Sequence, residues 1–231
     1  MRRFWDERAR EDAFFFVDDR LTYRRPDLDS FWRGGEEALE ILLGACGTAL
    51  TGEDEVVEIG CGAGRMTRAL AGRVRSVRAL DVSSEMLDVA RRMNPQLTNV
   101  DWLHGDGTTL APVPGESADA CVSHVVFQHI PDPEITLGYV REMGRVLRPG
   151  GWAAFQVSND PGIHRPREEP RRAWGRRPRG RSHPAWLGAA VELESLRAAA
   201  ADGRMAVERV TGEGTQFCLV LTRRTEAAAD R

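Results

Sequence analysis

The stretch VVEIGCGAGRMTRAL, residues 56–70, decides the fold class of this chain. It joins an apolar run, typical of a buried strand, to a helical pattern through three glycines, Gly60, Gly62 and Gly64. Because glycines have no side chains, a ligand can approach the backbone amides at the start of the following helix. The stretch therefore predicts a ligand-binding turn between a strand and a helix.

The rest of the chain alternates strand-like and helical patterns in the same way. Strands are predicted at 55–59, 76–82, 101–104, 118–127, 151–158, 205–210 and 216–222. The clearest helices are predicted at 83–93, 133–147 and near 185–201. This alternation indicates an α/β fold with a parallel sheet covered by helices on both faces.

The last two predicted strands are joined only by the five residues TGEGT. That connection is too short for a parallel crossover, so the two strands must form an antiparallel hairpin. We therefore expect a doubly wound, Rossmann-like fold. Its seven-stranded sheet should be mostly parallel, with an antiparallel C-terminal strand.

Two segments fall outside this alternation. Residues 1–50 carry clustered aromatic residues and a helical pattern, so we predict a helical N-terminal cap preceding a ligand-binding domain at 51–231. Residues 161–184 form an insertion after the fifth strand, with eight arginines and two glutamates. Long loops in compact domains are usually functional or disordered, so the insertion is either a lid over the site or a solvated loop.

Composition limits the function classes. The net charge of −3 over 231 residues predicts no general binding of polyanions such as nucleic acids. All 32 basic residues are arginine, which we attribute to coding bias, so arginine counts are discounted as functional signals. No apolar run reaches the roughly 18 residues of a membrane span, and the start lacks the features of a signal peptide. We therefore expect a cytoplasmic protein that acts on a small molecule, away from membranes.

The four cysteines do not form a CxxC pair, and none has a histidine at metal-ligand spacing. Neither a metal site nor a disulfide framework is predicted.

Carboxylates lie near the carboxyl ends of the first three predicted strands. Glu58 stands two residues before Gly60, where a negative group suits an ammonium better than a pyrophosphate. Asp81 is placed to accept both hydroxyls of a ribose, and Asp106, in the run GDG, to read an adenine amino group. The glycine spacing is Gly-x-Gly-x-Gly rather than the Gly-x-Gly-x-x-Gly of dinucleotide folds. The pattern predicts a ligand with a ribose, a base and an ammonium but no phosphate.

Together these features resemble the class I S-adenosylmethionine-dependent methyltransferases. The matching stretches, in the order of the family and within residues 55–158, are EIGCGAG, DVSSEM, GDG, VSHVVFQHIPDP and RVLRPGG. The resemblance implies S-adenosyl-L-methionine as the cofactor and methyl transfer to an O, N or C atom of a small molecule, such as a specialised metabolite. The alternative is a protein of the same fold that binds S-adenosylmethionine but catalyses a cyclisation or rearrangement, or serves as a partner module.

Two further functions fit the sequence less well. A nucleotide-dependent oxidoreductase fits poorly with the glycine spacing and with Glu58, and an RNA methyltransferase has no recognised RNA-binding module here. The sequence also has no Asn-Pro-Pro-Tyr or Asp-Pro-Pro-Tyr run after the fourth strand. That absence argues against methyltransferases that modify nucleic-acid bases or protein glutamine.

The resemblance also implies roles for individual residues. Glu58 would hold the methionine ammonium, Asp81 the ribose and Asp106 the adenine edge, while Val82 and Met86 would lie against the adenine faces. The cofactor-binding residues implied in this way are Glu58, Gly60, Cys61, Gly62, Asp81, Val82, Met86, Asp106, Gly107, Ser123 and His129.

His124 is the candidate general base. It stands near the carboxyl end of the fourth strand, and histidine titrates close to neutral pH. A base is needed only if the acceptor must lose a proton early, as a hydroxyl does. The residues expected to contact the acceptor are Phe15, His124, Gln128 and His164.

Overall fold

The structure is a computed structural model that describes residues 1–164 and 188–226. Its central element is a seven-stranded sheet. The strands are β1 Glu55–Ile59, β2 Ser76–Asp81, β3 Val100–His104, β4 Ala118–Ser123, β5 Leu147–Val157, β6 Met205–Thr211 and β7 Cys218–Arg224. The helices are α1 Arg2–Val17, α2 Leu28–Cys46, α3 Arg65–Ala71, α4 Ser84–Met93, α5 Pro133–Val146 and α6 Leu193–Asp202. A short 3-10 helix spans Phe127–His129.

The strands lie in the order β3-β2-β1-β4-β5-β7-β6. The first five pair in parallel, and β7 runs antiparallel to both of its neighbours. The predicted doubly wound sheet with an antiparallel C-terminal strand is therefore confirmed. The order in which the chain adds strands to the sheet reverses between β1 and β4. Ligands bind at such switch points in open α/β sheets.

Two strand boundaries differ from the sequence prediction by four residues each, and the others by no more than two. β4 ends at Ser123 instead of residue 127, because Val125 has a φ of 58° and leaves the extended conformation. β5 begins at Leu147 instead of residue 151, because Leu147 already pairs with Ala118 of β4. The register shifts between Ala118 and Ala120, so the residues predicted as a turn are included in the strand.

The start of the third predicted helix also differs from the prediction. The helix predicted near 185–201 begins at Leu193, after the non-helical residues 188–192. Residues 185–187 and most of the predicted lid, 165–184, lie outside the described residues.

The N-terminal helices pack directly on the elements that follow the glycine turn. The Oγ of Ser83, the residue that caps α4, donates to the Asp6 carboxylate in α1 at 2.7 Å. Phe31 of α2 is fully buried in a cluster with Met86 of α4 and with Ala63 in the turn itself. The N-terminal extension is thus helical, as predicted, and its side chains reach the carboxyl edge of the sheet.

Close packing of α2 on α3 gives a test of this arrangement. A Cβ on Gly35 would lie 2.1 Å from the carbonyl oxygen of Arg65, so Gly35→Ala forces α2 away from α3. We expect it to lower the free energy of unfolding by about 1–3 kcal/mol. Gly44→Ala in the same helix is the control, because a Cβ there meets no atom within 4 Å.

The control should be neutral or stabilise the protein by up to about 1 kcal/mol, since alanine is the better helix former. Urea denaturation measures both variants. Equal stabilities for Gly35→Ala and Gly44→Ala would contradict the close approach of the two helices.

Candidate active site

A cavity with about 1110 Å³ of empty space, partly open to solvent, lies at the carboxyl ends of β1, β2 and β4. The glycine turn forms its floor, with Glu58 from β1 and Asp81 from β2. Met1 and Trp5 of the N-terminal segment line it from the other side. Its position matches the switch point of the sheet, where ligands bind in this architecture.

The turn contains backbone dihedral angles that favour glycine. Gly60 has a φ of 76° and Gly62 a φ of 53°, both in the left-handed region. A Cβ on Gly60 would also lie 2.4 Å from a methyl carbon of Val126. The amides of Gly60 and Cys61 donate to the Leu80 carbonyl at 2.8 and 2.9 Å, which ties the turn to β2.

Glu58 is a buried carboxylate inside this cavity, with an exposed fraction of only 2%. Thr67 of α3 donates its hydroxyl to Glu58 Oε2 at 2.5 Å. Burial raises the pKa of Glu58 to about 7, although the Thr67 hydrogen bond and the charge of Arg65 act in the opposite direction. A cation that enters the cavity would therefore stabilise the ionised form of this carboxylate.

Asp81 has a structural role as well as the predicted binding role. Its Oδ2 accepts the Gly62 amide and its Oδ1 accepts the Ser83 amide, each at 2.8 Å. Burial raises the pKa of Asp81, and these backbone hydrogen bonds counteract part of that shift. The carboxylate thus fixes both the glycine turn and the start of α4, and each oxygen keeps capacity for a second donor.

Most of the predicted cofactor residues share this cavity. Those that line it are Glu58, Gly60, Cys61, Gly62, Asp81, Val82, Met86, Gly107 and His129. They come from the ends of β1, β2 and β3, from α4 and from the 3-10 helix after β4, so the sequence motifs do converge in space.

Two predicted cofactor residues do not line the cavity. Asp106 is exposed, and its carboxylate accepts the amides of Thr108 and Thr109, each at 2.7 Å, so it closes its own loop. Ser123 is fully buried and donates its hydroxyl to the Ile59 carbonyl at 3.0 Å, below the cavity floor.

Three of the predicted acceptor contacts also lie away from the cavity. Phe15 packs edge-to-face on Phe16, and Gln128 accepts a hydrogen bond from the Gln156 amide at 2.9 Å. His164 is buried, with Nδ1 2.8 Å from the Ser158 hydroxyl. α1 has a backbone kink at Asp12, just before the aromatic run, and Phe16 lines the cavity where Phe15 was expected.

His124 lines the cavity as predicted, but its protonation differs from the expectation. Burial, together with the charges of Arg65 and Arg20, lowers its pKa to about 4. His124 is thus neutral at physiological pH instead of titrating near it. Its Nδ1 is buried and has no hydrogen-bond partner among the described residues.

The cavity contains residues that sequence reasoning missed. Arg65 follows the last glycine of the motif directly, but arginines had been discounted as coding bias. Phe16 ends an aromatic run whose orientation the sequence does not indicate, Val17 follows it, and Tyr139 comes from α5. Only Arg65 had a local signal, its position at the start of the helix after the turn.

Comparisons with known proteins agree with this geometry. Residues 57–155 match a family model described as a methyltransferase domain. Trans-aconitate 2-methyltransferase of Azoarcus sp. (strain BH72) is 35% identical over 147 residues, which cover 62% of this chain and 55% of that protein. The chain spans about half the length, or less, of the first curated relatives that it matches.

Solved structures share the fold. Phosphoethanolamine N-methyltransferase 1 of Haemonchus contortus, in complex with phosphoethanolamine and S-adenosylhomocysteine, gives a TM-score of 0.69 at 17% identity, over 99% of this chain and 49% of that one. The complex of the Haloferax volcanii Trm112 methyltransferase activator with a putative methyltransferase contains a chain that matches with a TM-score of 0.67 at 21% identity. That match covers 96% of this chain and 98% of the other. Within the described part of our chain, no helix has the length and apolar character to cross a membrane.

The raised pKa of Glu58 predicts a pH-dependent cost to the unliganded protein. The folded state holds this proton more tightly than the unfolded state. The free energy of unfolding should therefore fall as the pH rises from 4.5, the ordinary pKa of a glutamate, to about 7, the pKa of Glu58 in the folded protein. Glu58→Gln lacks this loss, and its stability relative to wild type should grow by on the order of 3 kcal/mol over that range. Urea denaturation at several pH values measures the difference.

Glu36→Gln is the control, since Glu36 is exposed on α2. Its stability should follow the wild-type pH dependence. If Glu58→Gln and wild type changed in parallel with pH, Glu58 would not be a carboxylate with a raised pKa.

Proposed function

This chain belongs to the class I S-adenosylmethionine-dependent methyltransferases, and from that premise we propose that it transfers a methyl group to a small-molecule acceptor in the cavity described above. One observation carries the proposal. Two buried or partly buried carboxylates, Glu58 and Asp81, flank one glycine turn and line the same cavity. That pair of hydrogen-bond acceptors suits an ammonium and a ribose diol on one ligand.

The residues present fit S-adenosylmethionine. Glu58 is buried with a hydroxyl as its hydrogen-bond donor, and the methionine ammonium would supply the missing positive charge. Asp81 uses one lone pair of each oxygen on backbone amides, so both oxygens can still accept a ribose hydroxyl. Val82 and Met86 offer apolar surface for the adenine, and Met86 is 2% exposed.

When bound, S-adenosylmethionine supplies an activated methyl group on a sulfonium. The task of the chain is then to orient the acceptor and exclude water, and orientation alone can contribute about 7–11 kcal/mol. Trp5 and Phe16 of α1 supply apolar walls on the side of the cavity opposite the sheet. They are placed to shield the reacting atoms from solvent.

His124 is proposed to receive the acceptor. As a neutral imidazole that lines the cavity, it can accept a hydrogen bond through its unprotonated ring nitrogen from an acceptor hydroxyl or amine and direct the lone pair of that atom. It can also take the proton during transfer, as a general base. Its pKa of about 4 makes it a weak base, so it suits a proton that leaves as the new bond to the methyl group forms.

The small-molecule acceptor is supported by the relative at 35% identity, which is named for trans-aconitate. The Haloferax complex suggests a second possibility, that a Trm112-like activator protein binds this chain. Co-purification with such an activator would establish that partner. A protein that binds S-adenosylmethionine but yields no methylated product from any metabolite would instead favour the alternative of a cyclase or partner module.

Ligand selectivity tests the proposal first. S-adenosylmethionine and S-adenosylhomocysteine should stabilise the protein by about 2.7 kcal/mol at a hundred times their dissociation constants. For a chain of this size that corresponds to a rise in Tm of about 5–11 °C. NADH and NADPH should cause none, because Glu58 disfavours a pyrophosphate. Thermal melting decides, and a shift with NADPH but none with S-adenosylmethionine would refute the proposal.

His124→Ala separates the chemistry from cofactor binding. With an acceptor found by mass spectrometry of metabolites, the variant should lower kcat by roughly 10²–10⁴ and leave the affinity for S-adenosylhomocysteine near wild type. Because His124 stays neutral above about pH 5, wild-type kcat should show no titration of this residue between pH 6 and 8. A loss in kcat of less than about threefold would show that transfer needs no base at this position.

A further inference from the structure

Arg65 is a buried cation in the cavity for which the steps above give no role. Its side chain is 11% exposed, and it lines the cavity together with Glu58 and His124. We propose that Arg65 binds a carboxylate group inside this cavity, either the methionine carboxylate of the cofactor or an acid group of the acceptor. The inference rests on the proposed function, because it assumes that these ligands occupy the cavity.

The contacts of Arg65 leave most of its donors available. Nη1 donates to Asp18 Oδ2 and to the Gly34 carbonyl, each at 3.2 Å. Among residues 1–164 and 188–226, no acceptor is found for its Nε or Nη2. A guanidinium carries its donors in a planar fork that matches a carboxylate. Two of its three nitrogens can therefore serve a ligand.

The surrounding charges leave Arg65 without full compensation. Its partner Asp18 is already bound by Arg20, whose Nε donates to Oδ1 at 2.8 Å and whose Nη2 donates to Oδ2 at 2.7 Å. One carboxylate thus faces two guanidiniums. Glu58 is near enough to interact with Arg65, but its pKa of about 7 leaves it partly protonated. A positive charge that is buried in this way needs an anion, which a ligand carboxylate would provide.

The position of Arg65 is fixed before any ligand arrives. Gly35 of α2 packs against the Arg65 backbone so closely that no side chain fits between them. The Gly34 carbonyl and Asp18 then hold the guanidinium from the N-terminal side. A donor that is ordered in advance costs less entropy when its ligand binds.

The two sources of a carboxylate make different use of the site. An amino-acid group needs a carboxylate partner for its ammonium and a cation for its carboxylate, and Glu58 and Arg65 supply this pair in one cavity. An acidic acceptor would instead lie between Arg65 and His124, which both line the cavity. Both sources require the guanidinium fork of Arg65.

Calorimetry with two adenosine ligands tests the first source. S-adenosylhomocysteine carries the amino-acid carboxylate, and 5′-deoxy-5′-methylthioadenosine lacks it. If the cofactor is the source, Arg65→Gln should weaken S-adenosylhomocysteine at least about tenfold and leave methylthioadenosine unchanged. Arg65→Lys keeps the charge without the fork and should lose less. Arg20→Gln is the matched control, because Arg20 binds the same Asp18 but does not line the cavity.

Glutarate and benzoate test the second source, as aliphatic and aromatic carboxylate probes titrated into protein saturated with S-adenosylhomocysteine. If the acceptor is the source, one of them should bind wild type at least about tenfold more tightly than Arg65→Gln, while S-adenosylhomocysteine affinity is unchanged. Thermal melting confirms that each variant is folded, and Arg65→Lys replaces Arg65→Gln if the latter is not.

The inference is overturned if folded Arg65 variants bind S-adenosylhomocysteine within twofold of wild type and neither probe distinguishes them from it. That result would leave the proposed function intact. Failure of wild type to bind S-adenosylhomocysteine at all would overturn the proposed function and this inference together.

Discussion

The glycine turn between β1 and α3, and its attachment to β2, is the constraint on which the site depends. The Gly60 and Cys61 amides bind the Leu80 carbonyl, and the Gly62 amide binds the Asp81 carboxylate. These bonds hold two neighbouring strand ends in register, so Glu58 and Asp81 open into the same space. Asp81 therefore shapes the turn and remains able to bind a ligand.

The same turn positions the charges of the cavity. It ends at Arg65, which places a guanidinium next to the buried Glu58 and near His124. The consequences are a carboxylate with a raised pKa, an imidazole held neutral and an arginine that shares its partner Asp18 with Arg20. A ligand that carries both an ammonium and a carboxylate would relieve the two unfavourable burials at once.

The sequence predicted the sheet and the local motifs well, because both rest on short-range patterns. The glycine turn and the positions of Glu58 and Asp81 follow from residues that are adjacent in the chain. Contacts between distant segments could not be predicted. The low pKa of His124 comes first from its burial and then from the charges of Arg65 and Arg20, which lie in α3 and in the N-terminal segment. No local pattern joins these residues to the end of β4.

Side-chain direction was a second limit. Asp106 stands in the expected run, yet its carboxylate binds Thr108 and Thr109 of its own loop. Phe15 and Phe16 are adjacent in one aromatic run, which the sequence alone does not orient, and Phe16 is the one that lines the cavity. Arg65 was overlooked because a compositional argument about arginine was applied to a residue whose position was informative.

The central claim is that one ligand lies across the glycine turn, with its ribose at Asp81 and its amino-acid ammonium at Glu58. A crystal structure of the chain with S-adenosylhomocysteine tests it most directly. The account predicts both ribose hydroxyls within hydrogen-bond distance of the Asp81 carboxylate and the ammonium within hydrogen-bond distance of Glu58. A ligand bound with its ribose away from Asp81, or outside this cavity, would contradict it.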